Sequence, residues 1–232
     1  MCGGWKMTMR TLYHGSAERI ISPQFGFGKR NNDYGLGFYC TEDLELAKEW
    51  AVGKDHDGWA NAYRIDDSEL DILDLNDRKY TILHWLAILL ENRQFETEYG
   101  LASEAKDYLL ANFKTPYKKA DVIIGYRADD SYFSFAQDFL TGAISYSQLN
   151  AAMRLGKLGN QYVLKSRRAF GLIQYAESVP VSRETHLVRK ELRDRQARNE
   201  YLNELRKKRL PGDLRIDRII DERITSGDKR LR

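Results

Sequence analysis

The first residues that could do chemistry form the segment 12–16, which contains a histidine followed by a glycine. A histidine at the end of a strand can hydrogen-bond a ligand hydroxyl, and a neighbouring glycine leaves its backbone accessible to a flat amide. The alternative is that His14 is a structural residue whose hydrogen bonds are satisfied within the protein. On this motif alone, both interpretations of His14 and Gly15 stay open.

A second motif covers residues 33–41 and places two glycines ahead of an aromatic strand. Glycines at such positions permit close approach of another backbone or of a ligand. A predicted helix follows and carries Trp50, so Tyr39 and Trp50 can form two walls of a slot for a planar ring. The competing interpretation is an ordinary pair of core aromatic residues.

The third motif, at residues 159–164, is a strand that opens with the amides of Asn160 and Gln161. Together and in this order, the three motifs resemble the catalytic core of the ADP-ribosyltransferase superfamily, on the branch typified by poly(ADP-ribose) polymerases. In that branch a His-Gly pair, a Gly-x-Gly-aromatic-Tyr segment and an Asn-Glu-Tyr segment hold NAD. The resemblance extends over residues 12–175, and the stretch 125–130 is similar to that of bacterial members.

The resemblance implies a role for each matching residue. His14 is expected to bind a hydroxyl of the adenosine-side ribose of NAD, and Gly15 to pair with the nicotinamide carboxamide. Tyr39 is expected to stack on the nicotinamide ring, and Trp50 to close the slot. NAD is therefore the expected co-substrate, and no metal ion is expected.

Gln161 departs from the family pattern, because it takes the position of the catalytic glutamate. Breaking the bond between ribose and nicotinamide builds positive charge on the sugar, which a nearby carboxylate stabilises. A glutamine can hold a ribose hydroxyl but supplies no charge. Asp129 and Asp130 are the expected replacement, with only one of them facing the site because successive side chains diverge. A solvated turn is the alternative. Arg127 is a candidate ligand for the NAD pyrophosphate or a substrate phosphate.

Short strands and amphipathic helices are expected to position these residues. Residue composition and flanking turns predict strands at 12–14, 37–40, 62–65, 72–75, 122–125, 161–165 and 172–175. Helical periodicity predicts helices at 79–93, 103–113, 147–155 and 42–51, the last with Thr41 as N-cap. The irregular mixture indicates the α+β class, and the resemblance implies an ADP-ribosyltransferase-like split β-sheet core with peripheral helices.

The composition changes near residue 180. Residues 10–180 are predicted to form the catalytic domain, and residues 181–232 a basic helical C-terminal extension. Residues 182–232 carry 16 Lys and Arg against 10 Asp and Glu, whereas the whole chain has a net charge of +3. Helices are predicted at 184–208 and 213–224. This tail is expected to capture an anionic acceptor, with a solvated charged face as the alternative.

The overall composition favours a folded protein and argues against disulfide-rich and membrane-spanning classes. With 42% hydrophobic residues and four prolines, the chain is expected to fold rather than stay disordered. Two cysteines cannot build a disulfide framework or a four-cysteine zinc site, which fits a reducing environment. The longest apolar run is too short to span a bilayer, and no signal peptide is recognisable. A cytoplasmic protein without a membrane partner is expected.

The leading functional interpretation is an NAD-dependent mono-ADP-ribosyltransferase acting on protein, RNA or DNA. Addition of a single unit is expected because the related polymerases use the missing glutamate for chain elongation. One alternative is an NAD glycohydrolase, in which water is the acceptor. Another is a catalytically weak protein that binds NAD or ADP-ribose. For a bacterial toxin or defence effector, a neutralising antitoxin protein would be a further partner.

Overall fold

The computed structural model describes residues 9–128, 130–155, 159–206 and 212–232, without the side chains of residues 130–132, 204 and 206. The described strands are β1 (Met9–Ser16), β2 (Phe38–Cys40), β3 (Gly58–Asp66), β4 (Ile72–Asp74), β5 (Val122–Tyr126), β6 (Asn160–Leu164) and β7 (Gln174–Val181). The described α-helices are α1 (Leu44–Ala51), α2 (Ile82–Asn92), α3 (Gly100–Asn112), α4 (Asp130–Leu140), α5 (Tyr146–Ala152), α6 (Arg167–Leu172), α7 (Arg183–Arg206) and α8 (Ile216–Asp221). The predicted α+β class is confirmed.

Two sheets form the centre of the molecule. The antiparallel three-stranded sheet has the order β1-β3-β7, and the four-stranded sheet has the order β2-β6-β5-β4, in which β4 and β5 are parallel. Alternation along each strand sends one set of apolar side chains into a shared core between the sheets. Leu12 and Tyr63 of the first sheet meet Val122 and Leu164 of the second in this core. The backbones of Tyr13 and Thr41 join β1 to the segment after β2 by two hydrogen bonds of 2.8 and 2.9 Å.

The other face of the four-stranded sheet is covered by helices. In α2, the nine residues from Ile82 to Leu90 are all buried, as expected for a helix that is apolar around its circumference. Its side chains share one core with Ile123 of β5, Val163 of β6 and residues of α3, α4, α5 and α8. In this layer, the indole N–H of Trp85 on α2 donates to the carbonyl oxygen of Tyr126, at the end of β5, at 3.1 Å.

The predicted start of α1 was wrong by two residues. Asp43, not Thr41, is the N-cap, and its side chain accepts hydrogen bonds from the backbones of Glu45 and Leu46 at 2.8 and 3.2 Å. The backbone of Thr41 is instead occupied by the bridge to Tyr13. That bridge keeps Thr41 extended, so the helix begins after it.

Helices α4 and α6 were not predicted, and the last strand was placed too early. The prediction of a strand at 172–175 was wrong at its start because Leu172 ends α6, whose first turn is capped by Ser166. Strand β7 then continues to Val181 along β3. The edge of the three-stranded sheet therefore extends to the point where α7 begins.

The C-terminal segment packs on the rest of the chain. On α7, the ring of Tyr201 packs against the ring of Phe135 on α4 at 3.7 Å between centroids, and its hydroxyl donates to Asp138 at 2.6 Å. On α8, Ile216 and Ile219 are buried in the core of the helical layer. Within the described ranges, no helix is long and apolar enough to cross a membrane.

Candidate functional site

A cavity of about 510 Å³ lies beside the ends of β1 and β6, within the size range of small-molecule sites. Its lining comes from β1, the loop between β1 and β2, β2, α1, the residue after α2, the segment after β5, and β6. Six residues predicted from sequence lie on its wall, namely His14, Gly15, Tyr39, Trp50, Arg127 and Gln161. The three sequence motifs therefore meet at one cavity.

His14 is a neutral imidazole, and one of its ring nitrogens makes a hydrogen bond within the protein. Its Nδ1 lies 2.7 Å from the carbonyl oxygen of Tyr39, so Nδ1 carries the proton and donates it. The ring also packs on Phe38 at 4.4 Å between centroids. Burial lowers the pKa of His14, and the hydrogen bond to Tyr39 opposes that shift. Nε2 makes no hydrogen bond within the described chain, so it can accept one from a ligand hydroxyl.

Gly15 combines close packing with an open backbone edge. A β-carbon there would lie 2.0 Å from the carbonyl oxygen of Ala47 on α1, so no larger residue fits. Tyr13 directs its N–H and C=O towards Thr41, and by the alternation of antiparallel pairing Gly15 directs its own groups to the same edge. No described strand pairs with that edge at Gly15. Its N–H and C=O are therefore positioned to pair with an amide.

Tyr39 is anchored by its hydroxyl to the preceding turn. The hydroxyl donates to the carbonyl of Gly35 at 2.5 Å and accepts from the backbone N–H of Tyr34 at 3.1 Å. Gly35 has φ of +73°, a conformation that strongly favours glycine, and a β-carbon there would also clash with Asn92. Burial raises the pKa of Tyr39, so its hydroxyl stays protonated. The turn thus fixes the ring at the cavity wall.

Trp50 and Arg127 form a pair at the cavity wall. The guanidinium carbon of Arg127 lies 4.5 Å from the centroid of a Trp50 ring, within cation–π range. The buried indole N–H of Trp50 has no hydrogen-bond partner within the described residues. The wall that Trp50 was predicted to form therefore carries a positive charge as well as an aromatic face.

Gln161 is buried on β6 opposite Gly125 of β5, with 6% of its surface exposed. Its Nε2 donates to Oδ2 of Asp33 at 3.4 Å. Its Oε1 is buried and has no hydrogen-bond partner in the described part of the chain. A buried acceptor without a partner is costly, and at a cavity wall it can take a hydrogen bond from a ligand hydroxyl.

Asp33 is the carboxylate that the sequence interpretation overlooked. It is 4% exposed, lines the cavity, and receives the backbone N–H of Ala128 on Oδ2 at 2.8 Å. Arg93, at the end of α2, lies 3.4 Å from Oδ1 and also lines the cavity. Burial raises the pKa of Asp33, while Ala128, Arg93, Arg127 and Gln161 lower it. The only sequence signal was its position at the start of the second motif.

Asn61 is a second residue that the sequence did not reveal. Its Nδ2 donates to Ser16 Oγ at 3.0 Å, and its Oδ1 accepts from the backbone N–H of Ile20 at 3.0 Å and from Ser178 at 2.7 Å. This fully buried side chain fixes the start of the loop that covers one side of the cavity. Its role is to position the loop.

The structure does not describe the side chains of the remaining two predicted residues. Asp129 lies outside the described residues, as does the side chain of Asp130, at whose position α4 begins. Among the described residues, no group of three or more His, Cys, Asp or Glu side chains is arranged to hold a metal ion.

Residues 10–175 match a protein-family model described as "Protein of unknown function (DUF3990)". The chain belongs to the DUF3990 family. The matched region includes every cavity-lining residue named above. No curated protein and no solved structure matches the chain.

Helix α7 lies outside the DUF3990 match but contacts the region next to the cavity wall. Arg193 Nη1 lies 2.7 Å from Glu49, the residue before Trp50 on α1, and both partners are largely buried. Arg189 similarly lies 2.8 Å from Glu45 at the start of α1. Part of the tail's positive charge therefore pairs with carboxylates of α1, which lies inside the DUF3990 region.

Proposed function

We propose that this protein binds NAD in the cavity and transfers its ADP-ribose group to a macromolecular acceptor as a mono-ADP-ribosyltransferase. The main support is that His14, Gly15, Tyr39, Trp50 and Gln161 come from three distant motifs and line a single cavity. These are the residues to which the family resemblance assigns NAD contacts. The separate three- and four-stranded sheets further support an ADP-ribosyltransferase-like split core.

The polar groups of the cavity match the parts of NAD. The free Nε2 of His14 accepts a hydrogen bond from a ribose hydroxyl, and the open backbone edge of Gly15 pairs with the nicotinamide carboxamide. Tyr39 offers a fixed ring to the nicotinamide. Arg93 and Arg127 supply positive charge for the pyrophosphate.

NAD supplies an activated bond between ribose and nicotinamide, whose cleavage leaves positive charge on the sugar. The partnerless Oε1 of Gln161 accepts a hydrogen bond from a ribose hydroxyl and holds the sugar in place. Gln161 carries no charge and is not a base, so it does not activate a ribose hydroxyl for a second addition. The product is therefore a single ADP-ribose unit on the acceptor.

The test combines calorimetric NAD binding with nicotinamide release measured with and without cell extract. We expect binding and extract-dependent release, together with ADP-ribose adducts on protein or nucleic acid detected by mass spectrometry. His14→Ala should lose NAD affinity, while His56→Ala, a change at an exposed histidine outside the cavity lining, should retain it. Release into water alone would indicate a glycohydrolase. Binding without release would indicate an NAD-binding protein, and absence of binding would refute the proposal.

A further inference from the structure

We propose that Asp33 is the catalytic carboxylate of the cavity and acts beside Gln161, supplying the charge that the family's glutamate would provide. This inference rests on the proposed ADP-ribosyl transfer. It assigns the replacement charge to the loop before β2 and not to Asp129 or Asp130.

Asp33 is held by three separate elements. Ala128, after β5, donates its backbone N–H at 2.8 Å, Gln161 of β6 donates its amide at 3.4 Å, and Arg93 at the end of α2 lies 3.4 Å away. The carboxylate is therefore fixed in orientation at the cavity wall. Such prior orientation is what electrostatic stabilisation of a transition state requires.

A purely structural role would explain why Asp33 is buried and paired with an arginine. It would not explain why Asp33 lies at the cavity wall. Asp67 is a buried aspartate with a structural role, and it can be compared with Asp33. It is 6% exposed, lies 2.8 Å from Arg10 and accepts a hydrogen bond from the Tyr162 hydroxyl at 2.6 Å. Asp67 does not line the cavity, whereas Asp33 does and contacts the amide whose other end has no partner. A ribose hydroxyl bound to Oε1 of Gln161 would thus be linked to Asp33 through one side-chain amide.

The reaction balances with Asp33 as electrostatic stabiliser and proton acceptor. The bond from ribose carbon to nicotinamide nitrogen breaks, and its electron pair leaves with neutral nicotinamide. An oxygen or nitrogen of the acceptor forms the new bond to that carbon, and its proton passes to the carboxylate of Asp33 and then to water. The acceptor class is therefore a group with a removable proton, such as a hydroxyl, amide or amine.

The charged surroundings of Asp33 suit this role. Burial raises the pKa of Asp33 and makes it a stronger base than a solvated aspartate, while the positive charges of Arg93 and Arg127 favour its ionised form. The neighbouring His14 and Tyr39 are uncharged, because burial lowers the pKa of the first and raises that of the second. Of the two acidic residues named in the cavity lining, Asp33 is buried and fixed by its partners, whereas Glu18 is exposed to solvent.

The test uses Asp33→Asn in the full chain, with Asp67→Asn as the matched buried control. Asp33→Asn should keep the NAD dissociation constant within about 3-fold and slow nicotinamide release by up to about 10³-fold, the upper bound for one charge near 4 Å. Asp67→Asn should release nicotinamide within about 3-fold of wild type. A second variant, Asp33→Ser, also removes the charge and is used if Asp33→Asn does not fold.

A readout other than turnover comes from NMR of aspartate carboxyl carbons in the wild-type protein. The Asp33 resonance, assigned with the variants, should titrate above the ordinary aspartate range and shift when NAD is added. If wild type neither binds NAD nor releases nicotinamide, the proposed function fails and this inference with it. If wild type turns over and the folded Asp33 variants release nicotinamide within about 3-fold of it, only the role of Asp33 is refuted. If the Asp33 variants retain nicotinamide release while Asp129→Asn or Asp130→Asn loses it, the catalytic charge would be assigned to Asp129 or Asp130.

Discussion

Replacing Gln161 by glutamate is the most informative perturbation, because it restores the family's residue beside an existing carboxylate. In the wild type, Gln161 Nε2 lies 3.4 Å from Asp33 Oδ2. At an effective dielectric constant of about 20, two unit charges at this distance repel by about 5 kcal/mol. That repulsion corresponds to roughly three to four pKa units. The two carboxyl groups should therefore share one proton near neutral pH and titrate as a pair.

Gln161→Glu should consequently raise the rate of nicotinamide release only slightly at neutral pH. The pair of residues 33 and 161 then carries one negative charge, as it does in wild type, so nicotinamide release should stay within about 10-fold of the wild-type rate. The rate should rise as the shared proton is lost at higher pH. Stability should change in the opposite direction, because a carboxyl whose folded-state pKa is raised binds its proton more tightly in the native state. The free energy of unfolding should therefore fall as the pH rises from the unfolded pKa, about 4.3, to the folded one.

The decisive variant is the double change Asp33→Asn with Gln161→Glu. It moves the buried carboxylate from the loop to β6, and it should release nicotinamide at least about 10-fold faster than Asp33→Asn alone. The assay is nicotinamide release between about pH 5 and about pH 9, with urea denaturation over the same range. Gln174→Glu, at an exposed position of β7, controls for adding a carboxylate. A pH-independent gain of about 100-fold in Gln161→Glu, or a double variant as inactive as Asp33→Asn, would refute the reasoning.

Four further predictions follow from the packing. Gly15→Ala should destabilise the fold by about 3 kcal/mol or more, seen in thermal unfolding, because its β-carbon would lie 2.0 Å from the Ala47 oxygen; an unchanged melting temperature would contradict the close packing. Tyr39→Phe should keep NAD affinity and lose about 1 to 2 kcal/mol of stability with the Gly35 bond, whereas a folded Tyr39→Ala that binds NAD like wild type would remove Tyr39 from the site. Burial, with the charge of Lys118, lowers the pKa of Lys165 from 10.5 to about 8, so the cost of its buried charge persists below about pH 8 and is relieved above it; NMR of methyl-labelled lysine should show this midpoint, and an ordinary lysine titration would disprove it. A chain truncated after Val181 should not fold in circular dichroism, because Tyr201, Ile216 and Ile219 belong to the core; a cooperative melt would show that the tail is dispensable.

The sequence located most strands and the long amphipathic helices because hydrophobic periodicity records which face of an element is buried. It failed where packing overrides local preference. Helix α4 contains Phe, Tyr and Ser residues of modest helix propensity. Its local sequence therefore did not predict a helix, which forms by packing against α3 and α5. The start of β7 was misjudged for a related reason, because Leu172 suits a strand but is used to end α6.

The candidate site shows the same limit. Order and spacing in the chain were enough to predict a shared site, and the structure places the five residues of that prediction at one cavity, namely His14, Gly15, Tyr39, Trp50 and Gln161. Asp33 was missed because its burial depends on Arg93, 60 positions away, and on Ala128, 95 positions away. Sequence alone presents Asp33 as an acidic residue before a glycine turn, a type that is usually solvated. Only the fold brings it against Gln161.

The packing of the tail has a consequence for the order of events during synthesis. A ribosome delivers the chain from its N-terminus, and domains generally fold as units. The last strand of the three-stranded sheet ends at Val181, and α1, which carries Trp50, is held by Arg193. The core of the helical layer is complete only with Ile216, Ile219, Ile224 and Leu231. We therefore expect a nascent chain to lack a formed cavity until residues 216–231 have left the exit tunnel.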